Sequence, residues 1–267
     1  MSDVIFLEER EGFVARLTLN RPSARNALSL AMLETVTQAV RRLGADKSVH
    51  VIVIAGNGPA FCAGHDLKEL TVARAEQDGG HAFFEETMGK CAALMLSIVR
   101  CPKPVIAEVQ GIASAAGCQL VASCDLAVGA ENARFATPGV NIGLFCSTPM
   151  VALSRNVGRK AAMRMLLTGD MMSADDARAI GLLSDVAAPS ELTNTAMAMA
   201  AQIATKSPAT LKIGKEAFYQ QIEMALPDAY DFASNVMVAN MLEPDAEEGI
   251  GAFIEKREPV WKSVMGA

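Results

Sequence analysis

Along the first half of the chain, short apolar runs alternate with stretches that read as helices. Phe13–Leu19 and "VHVIVIAG" (Val49–Gly56) are rich in β-branched and apolar residues, the pattern of buried strands. Between them, Ser29–Leu43 reads as a helix, with Ser29 as its N-cap and Gly44 as its stop. A Gly/Pro turn and "FCAGHDLKEL" come next. A helix follows over Phe83–Arg100, ending before Pro102 and Pro104, where the residue preceding proline leaves helical geometry. "PVIAEVQG" is a strand, "AAGCQLVASC" a short helix, and "DLAVGAENARFA" two short strands. This alternation predicts an α/β architecture.

The pattern changes from Thr148 onward, where helical signals dominate. "SADDARAIGLLSDV" reads as a capped helix stopped by Gly181 and followed by a strand. Ser207 before Pro208 is a normal helix start, with proline at the first position. Pro244 and Pro259 bracket a last helix. The expected organisation is an α/β core over residues 1–190 and a helical region over residues 191–267, without a clear linker.

Composition narrows the classes of function. The 267 residues are 51% hydrophobic and 20% charged, a balance that supports a sizeable core. A net charge of −6 without a basic run argues against nucleic-acid binding through phosphate neutralisation. The uncharged stretch Val109–Cys124 is too short and too polar for a membrane span. "MSDVIFLEER" lacks the basic and apolar regions of a signal peptide. The expected location is therefore cytoplasmic, or the mitochondrial matrix if a transit peptide was removed. The six cysteines form no C-x-x-C pair, and the three histidines do not sit at ligand spacing with them. The cysteines read as reduced and mostly buried, and no metal site is expected.

Two glycine-containing turns carry the candidate chemistry: "PAFCAGHDLKEL" and "GIASAAGCQL". Each follows a strand and opens a helix. The first N–H groups of a helix have no internal partner, and the helix dipole adds partial positive charge there. Two such groups aimed at one point form an oxyanion hole. Ala63, Gly64, Ala115, Ala116 and Gly117 are small enough to let a ligand reach the backbone. Spacing alone leaves a second reading open, in which both are simply tight strand–helix turns.

"LNRPSARNALS", "AFCAGHDLKEL", "PKPVIAEVQGIASAAGCQLVASCDLAV", "SADDARAIGLLSDV", "SPATLKIGKEA" and "GIGAFIEKREPVW" follow one another in the order of the enoyl-CoA hydratase/isomerase (crotonase) family, which the chain resembles nearly end to end. The resemblance implies a spiral of ββα turns with a C-terminal helical region used in trimer formation. The assembly would be a homotrimer or a dimer of trimers. The implied partner is an acyl-CoA thioester; coenzyme A is part of the substrate and no separate cofactor is expected. The implied oxyanion donors are the backbone N–H groups of His65 and Ala116, with Ala116 standing where glycine is usual. An alanine there is tolerable only at negative φ. Arg25, Ala27, Ala63, Gly64, Asp66, Leu67, Lys68 and Gly117 fall along the implied CoA path. Arg25 and Lys68 suit phosphates, or are ordinary surface cations.

The chain departs from the hydratase pattern where that family carries two glutamates. Those positions hold Gln119 and Gly139, and Ser147 stands where other members place an aspartate. An amide cannot exchange protons near neutral pH, and glycine offers no group at all. Positioned acids and bases typically contribute about 10²–10⁴-fold each, so hydration is expected to be weak or absent. Ser114, Asn141, Cys146 and Thr148 are the other polar groups near the site. Cys146 is a nucleophile if its pKa is lowered, and otherwise a buried structural thiol. Glu85 and Glu86 supply an acid from a bordering helix, or belong to a solvated face. Three readings stay open: an acyl-CoA enzyme working through enolate stabilisation, an acyl-CoA-binding protein without turnover, and a true hydratase with unrecognised acids.

Overall fold

Successive ββα turns build two sheets in a computed structural model that describes residues 5–265. Met1–Val4, part of the stretch read for a signal peptide, lie outside the described residues. The larger sheet has the order β1 (Phe6–Glu11), β2 (Val14–Leu19), β3 (Val51–Gly56), β5 (Val105–Val109), β7 (Leu126–Ala130), β10 (Asp185–Ala187). The smaller has the order β4 (Ala60–Cys62), β6 (Ile112–Ser114), β8 (Arg134–Ala136), β9 (Met172–Ser173). From β3 to β8, one strand joins the large sheet and the next joins the small one. A helix or helical turn then closes each step. Apart from the β1–β2 and β8–β9 pairs, all pairings are parallel.

The strands of the large sheet read as unbroken apolar runs because helices cover both faces. Ile52 and Ile54 of β3 enter the main core with the apolar stripe of α1 (Leu30–Ala45) and with Leu94 and Ile98 of a later helix. Val51 and Val53 point the other way, where Val14, Ile106 and Ala200 meet them. Burying one such side chain contributes about 1.5–3 kcal/mol. Ser29 caps α1 by accepting from Met32 N at 3.2 Å. The helix runs past the expected stop at Gly44. A Cβ at Gly44 would lie 3.3 Å from Cys101 Sγ and 3.4 Å from Pro102 Cδ, so this glycine serves close packing rather than termination.

Strand β1 was not expected. It pairs with β2 through a turn at Gly12, where φ is +54°. Its residues FLEERE leave five of six positions exposed. A charged edge strand is held by its backbone ladder and carries no buried face to give it an apolar signature.

The remaining helices are α2 (Leu67–Ala73), α3 (His81–Val99), α4 (Ala116–Ser123), α5 (Ser147–Asn156), α6 (Arg159–Thr168), α7 (Ala174–Ala179), α8 (Leu192–Ala204), α9 (Pro208–Gln221), α10 (Leu226–Met241), α11 (Pro244–Glu255) and α12 (Lys262–Met265). The last of these lies beyond the helix bracketed by Pro244 and Pro259. Helix α8 lies on the second face of the large sheet, through Ala196 and Ala200. Helix α9 is tied to the core by Lys215, whose ammonium donates to Asp125 at 2.6 Å and to the carbonyls of Ile98 and Lys103. Tyr219 donates to the other Asp125 oxygen at 2.9 Å. Ser207 caps α9 and donates to the buried Asp245 at 2.6 Å, which joins the start of α9 to α11. None of the described helices is long and apolar enough to cross a membrane.

Candidate functional site

Strands β4 and β6 are parallel neighbours, so their ends reach the same side of the small sheet. Each then turns into a helix: β4 through Ala63–Asp66 into α2, and β6 through Ala115 into α4. The two loops abut at Gly64, where φ is +98°. A Cβ there would lie 3.0 Å from Ala115 Cβ, 3.1 Å from Ser114 O and 3.5 Å from Ala116 N. Only glycine permits this approach, and it brings His65 beside Ala116. A third segment locks the first loop in place. Ala63 N donates to Arg25 O at 3.0 Å, Leu28 N to Gly64 O at 2.7 Å, and Asp66 N to Leu28 O at 3.3 Å. Among the described residues, neither His65 N–H nor Ala116 N–H finds a backbone acceptor. They are two free donors at adjoining loop–helix junctions.

The backbone strain falls one residue before Ala116. Ala115 has φ 50° and ψ −116°, a conformation that glycine adopts without cost and alanine does not. Ala116 is absent from the positive-φ residues and opens α4 as an ordinary helical residue. Gly117 is needed for a different reason. A Cβ there would lie 2.1 Å from Cys62 O, so glycine lets α4 press against β4.

The two junctions open into a cavity of about 620 Å³. Ala63, His65, Ser114, Ala115 and Ala116 form one end. Leu67, Leu70 and Arg74 bring in the α2 side, and Phe84 and Met88 the α3 side. Residues 138–149 supply the opposite wall, including Gly139, Asn141, Ile142, Leu144, Phe145, Cys146, Ser147 and Thr148. No aspartate or glutamate is among the lining residues. Among the described residues, no cluster of three His, Cys, Asp or Glu side chains is placed to hold a metal.

Burial disfavours the charged forms of His65 and Cys146 at the cavity. The pKa of His65 is lowered because its ring is enclosed, and its Nε2 has no hydrogen-bond partner. Burial pushes the Cys146 thiol up, and the Gly139 backbone amide only partly offsets this. A thiolate nucleophile is therefore disfavoured there at neutral pH. Cys146 directly precedes α5, and Ser147 Oγ turns back to Phe145 O at 3.4 Å.

Comparison with known proteins places the fold. The enoyl-CoA hydratase/isomerase family model matches residues 9–264. The chain belongs to that family. It is 46% identical over 253 residues to a Xenopus laevis protein named enoyl-CoA hydratase domain-containing protein 3, mitochondrial, covering 95% of this chain and 84% of that one. The crystal structure of the human domain-containing protein 3 superposes with a TM-score of 0.91 at 44% identity, covering 96% of this chain and 100% of that one. A Mycobacterium smegmatis enoyl-CoA hydratase structure also gives 0.91, at 52% identity, covering 96% and 98%. These matches support the crotonase fold and membership of the domain-containing protein 3 type.

The positions assigned by resemblance to this family lie as follows. Gln119 is 4% exposed and stands outside the cavity lining. Its Oε1 accepts from Cys91 Sγ at 3.8 Å, in the seam between α3 and α4. Gly139 does line the cavity, but its side-chain space is filled. A Cβ there would meet Leu144 O at 2.8 Å and Cys146 Sγ at 2.9 Å. Ala63 and Leu67 line the cavity, whereas Arg25 and Lys68 are exposed near its first loop. Ala27 is buried beside that loop. The Asp66 carboxylate is already engaged, accepting from Lys68 N as the N-cap of α2 and pairing with Arg21 at 3.1 Å. Glu85 and Glu86 lie outside the cavity, facing His81 at 3.5 Å and Lys90 at 3.0 Å on the outer side of α3. Arg74, Leu70, Phe84 and Met88 were not expected from sequence. Their place depends on how α2 and α3 cross, which no local pattern encodes.

Proposed function

We propose that the cavity binds an acyl-CoA thioester, with the His65 and Ala116 N–H groups donating to the thioester oxygen. The observation that carries this is the pair of unpartnered backbone donors opening into a largely apolar cavity. Such donors strengthen their hold as negative charge develops on the oxygen, so they favour an enolate-like state over the bound thioester. They move no protons. Hydration needs groups that handle water and the α-proton, and Gln119 and Gly139 supply neither. A step that leaves its electron pair on the α-carbon, such as loss of CO₂ from a β-carboxylate, needs only the hole. The reading is therefore an acyl-CoA protein with weak or absent hydration, acting by enolate stabilisation. Binding without turnover is the alternative.

The exposed apolar residues of the helical region, among them Phe218, Ile222, Leu226, Met241 and Phe253, suit self-association as a trimer or a dimer of trimers. The "mitochondrial" in the Xenopus relative's name bears on the matrix alternative for location. The test pairs a crotonyl-CoA hydration assay at high protein concentration with a thermal-shift titration of CoA esters. The expected result is stabilisation by CoA esters without hydration, in the wild type and in Gln119→Glu alike. Robust wild-type hydration would overturn the account of the two missing acids. No stabilisation by any CoA ester would remove the acyl-CoA reading.

A further inference from the structure

We propose that the α2–α3 wall of the cavity recognises an acyl chain ending in an anionic group, such as a carboxylate, with Arg74 as the recognition residue; this rests on the acyl-CoA reading above. Arg74 is the one Lys or Arg side chain in the lining, and no carboxylate lines the cavity to neutralise it. It takes part in none of the ion pairs that engage Arg10, Arg16, Arg21, Arg155 and Arg257. Arg74 is exposed at the cavity, and its guanidinium is a planar fork matched to a carboxylate.

The cation is held by one neighbour. Its guanidinium carbon lies 5.3 Å from the centroid of the Phe84 ring, within cation–π range. Arg74 is also the residue at which α2 ends, its backbone N–H donating to Val72 O. Gly80 fixes the spacing of this corner. A Cβ there would lie 2.8 Å from Phe84 Cζ and 2.9 Å from Ala73 O, so the ring and the end of α2 pack directly on that glycine.

Helix α2 starts just after the His65 donor and ends at Arg74, and seven residues at 1.5 Å each rise about 10 Å. The two carboxyl carbons of an eight-carbon diacid are seven bonds, about 8 Å, apart at about 1.2 Å per bond, so such a diacid is a probe of that scale.

The experiment is isothermal titration calorimetry with two saturated esters, octanedioyl-CoA and octanoyl-CoA, on the wild type and Arg74→Met. Methionine keeps the apolar stem and removes the charge, and a thermal melt checks the fold. The wild type is expected to bind octanedioyl-CoA about fivefold more tightly, the upper range for one solvent-exposed ion pair. Arg74→Met is expected to level the two esters and to leave octanoyl-CoA within twofold of wild type. Equal wild-type affinities would overturn the inference alone and leave acyl-CoA binding standing. A preference that survives in Arg74→Met would also overturn it, as would equal weakening of both esters, which would assign the guanidinium to the CoA phosphates. If neither ester binds, the acyl-CoA reading falls and this inference with it.

Discussion

Restoring a side chain at position 139 is expected to destabilise the protein. An alanine Cβ would stand 2.8 Å from Leu144 O and 2.9 Å from Cys146 Sγ, closer than real contacts allow. Gly139 is not among the positive-φ residues, so the cost comes from crowding rather than from backbone conformation. Overpacking of this kind costs about 1–3 kcal/mol, because side chains and backbone must shift. Removing glycine's freedom from the unfolded chain returns about 0.4–1 kcal/mol. Gly139→Ala should therefore lose about 1–2 kcal/mol, read as about 2–8 °C in Tm for a chain of this size. Cys146→Ala removes one of the two offending atoms, so the double variant should recover about 0.5 kcal/mol or more of coupling in a double-mutant cycle. The Leu144 carbonyl is backbone and cannot withdraw without moving the loop. Gly139→Glu should cost more than alanine, and Gln119→Glu/Gly139→Glu should still not hydrate crotonyl-CoA. Urea melts and the hydration assay decide the matter. A Gly139→Ala variant as stable as wild type, or a double glutamate variant that hydrates at a hydratase-like rate, would refute this account of a filled position.

Two further predictions follow from strain and burial. Ala115→Gly should stabilise the protein by about 1 kcal/mol, since relief of a sparsely populated backbone state worth about 1–3 kcal/mol outweighs glycine's added unfolded-state entropy; a lower Tm would contradict the strain at φ 50°. Burial pushes the thiols of Cys62, Cys91 and Cys118 up to about 12 from an ordinary value of 9.0. In the folded state they stay protonated, while the unfolded chain releases their protons above pH 9. Their contribution is thus fully present below pH 9 and lost as the pH rises from 9 to 12, by about 1.4 kcal/mol per pH unit for each thiol. Urea midpoints from pH 8 to 10.5 should fall more gently in Cys91→Ala than in wild type, and an unchanged slope would contradict the burial argument.

How much of this was legible in the sequence depends on the range of the interaction. Ser29, Ser207 and Gly181 announce their roles locally, because a cap or a left-handed turn is decided within four residues, and the structure shows each in that role. The junctions at Gly64 and Ala116 were legible as loop–helix starts. That they touch follows from the β4–β6 pairing, which no local signal carries. Gly44 misled because glycine serves both to end helices and to admit a neighbour, and the neighbour here, Cys101–Pro102, is far away in sequence. Strand β1 hid because Phe6 alone of its six side chains packs against the core. Gln119 was legible as an amide where the resemblance expects an acid. Its retreat into the α3–α4 seam, and the closing of position 139 by Leu144 and Cys146, depend on tertiary packing.

The polarising and proton-transferring halves of such a site draw on different parts of the molecule. The hole is made of backbone at two strand–helix junctions, and Gly64 and Gly117 hold those junctions at contact distance. Losing either glycine would disturb the packing of β4 against α4, so the hole is tied to folding itself. Proton transfer depends on side chains. Gln119 forms a weak contact to Cys91, and Gly139 leaves its space to a loop; both arrangements are packed, and neither needs an acid for stability. On the proposed reading, a fold of this kind keeps its hole without the proton chemistry. The cavity that goes with it is walled by residues 138–149 and carries one lysine or arginine side chain, Arg74. If the acyl-CoA reading holds, the chemistry it promotes is limited to steps whose charge ends on the thioester oxygen.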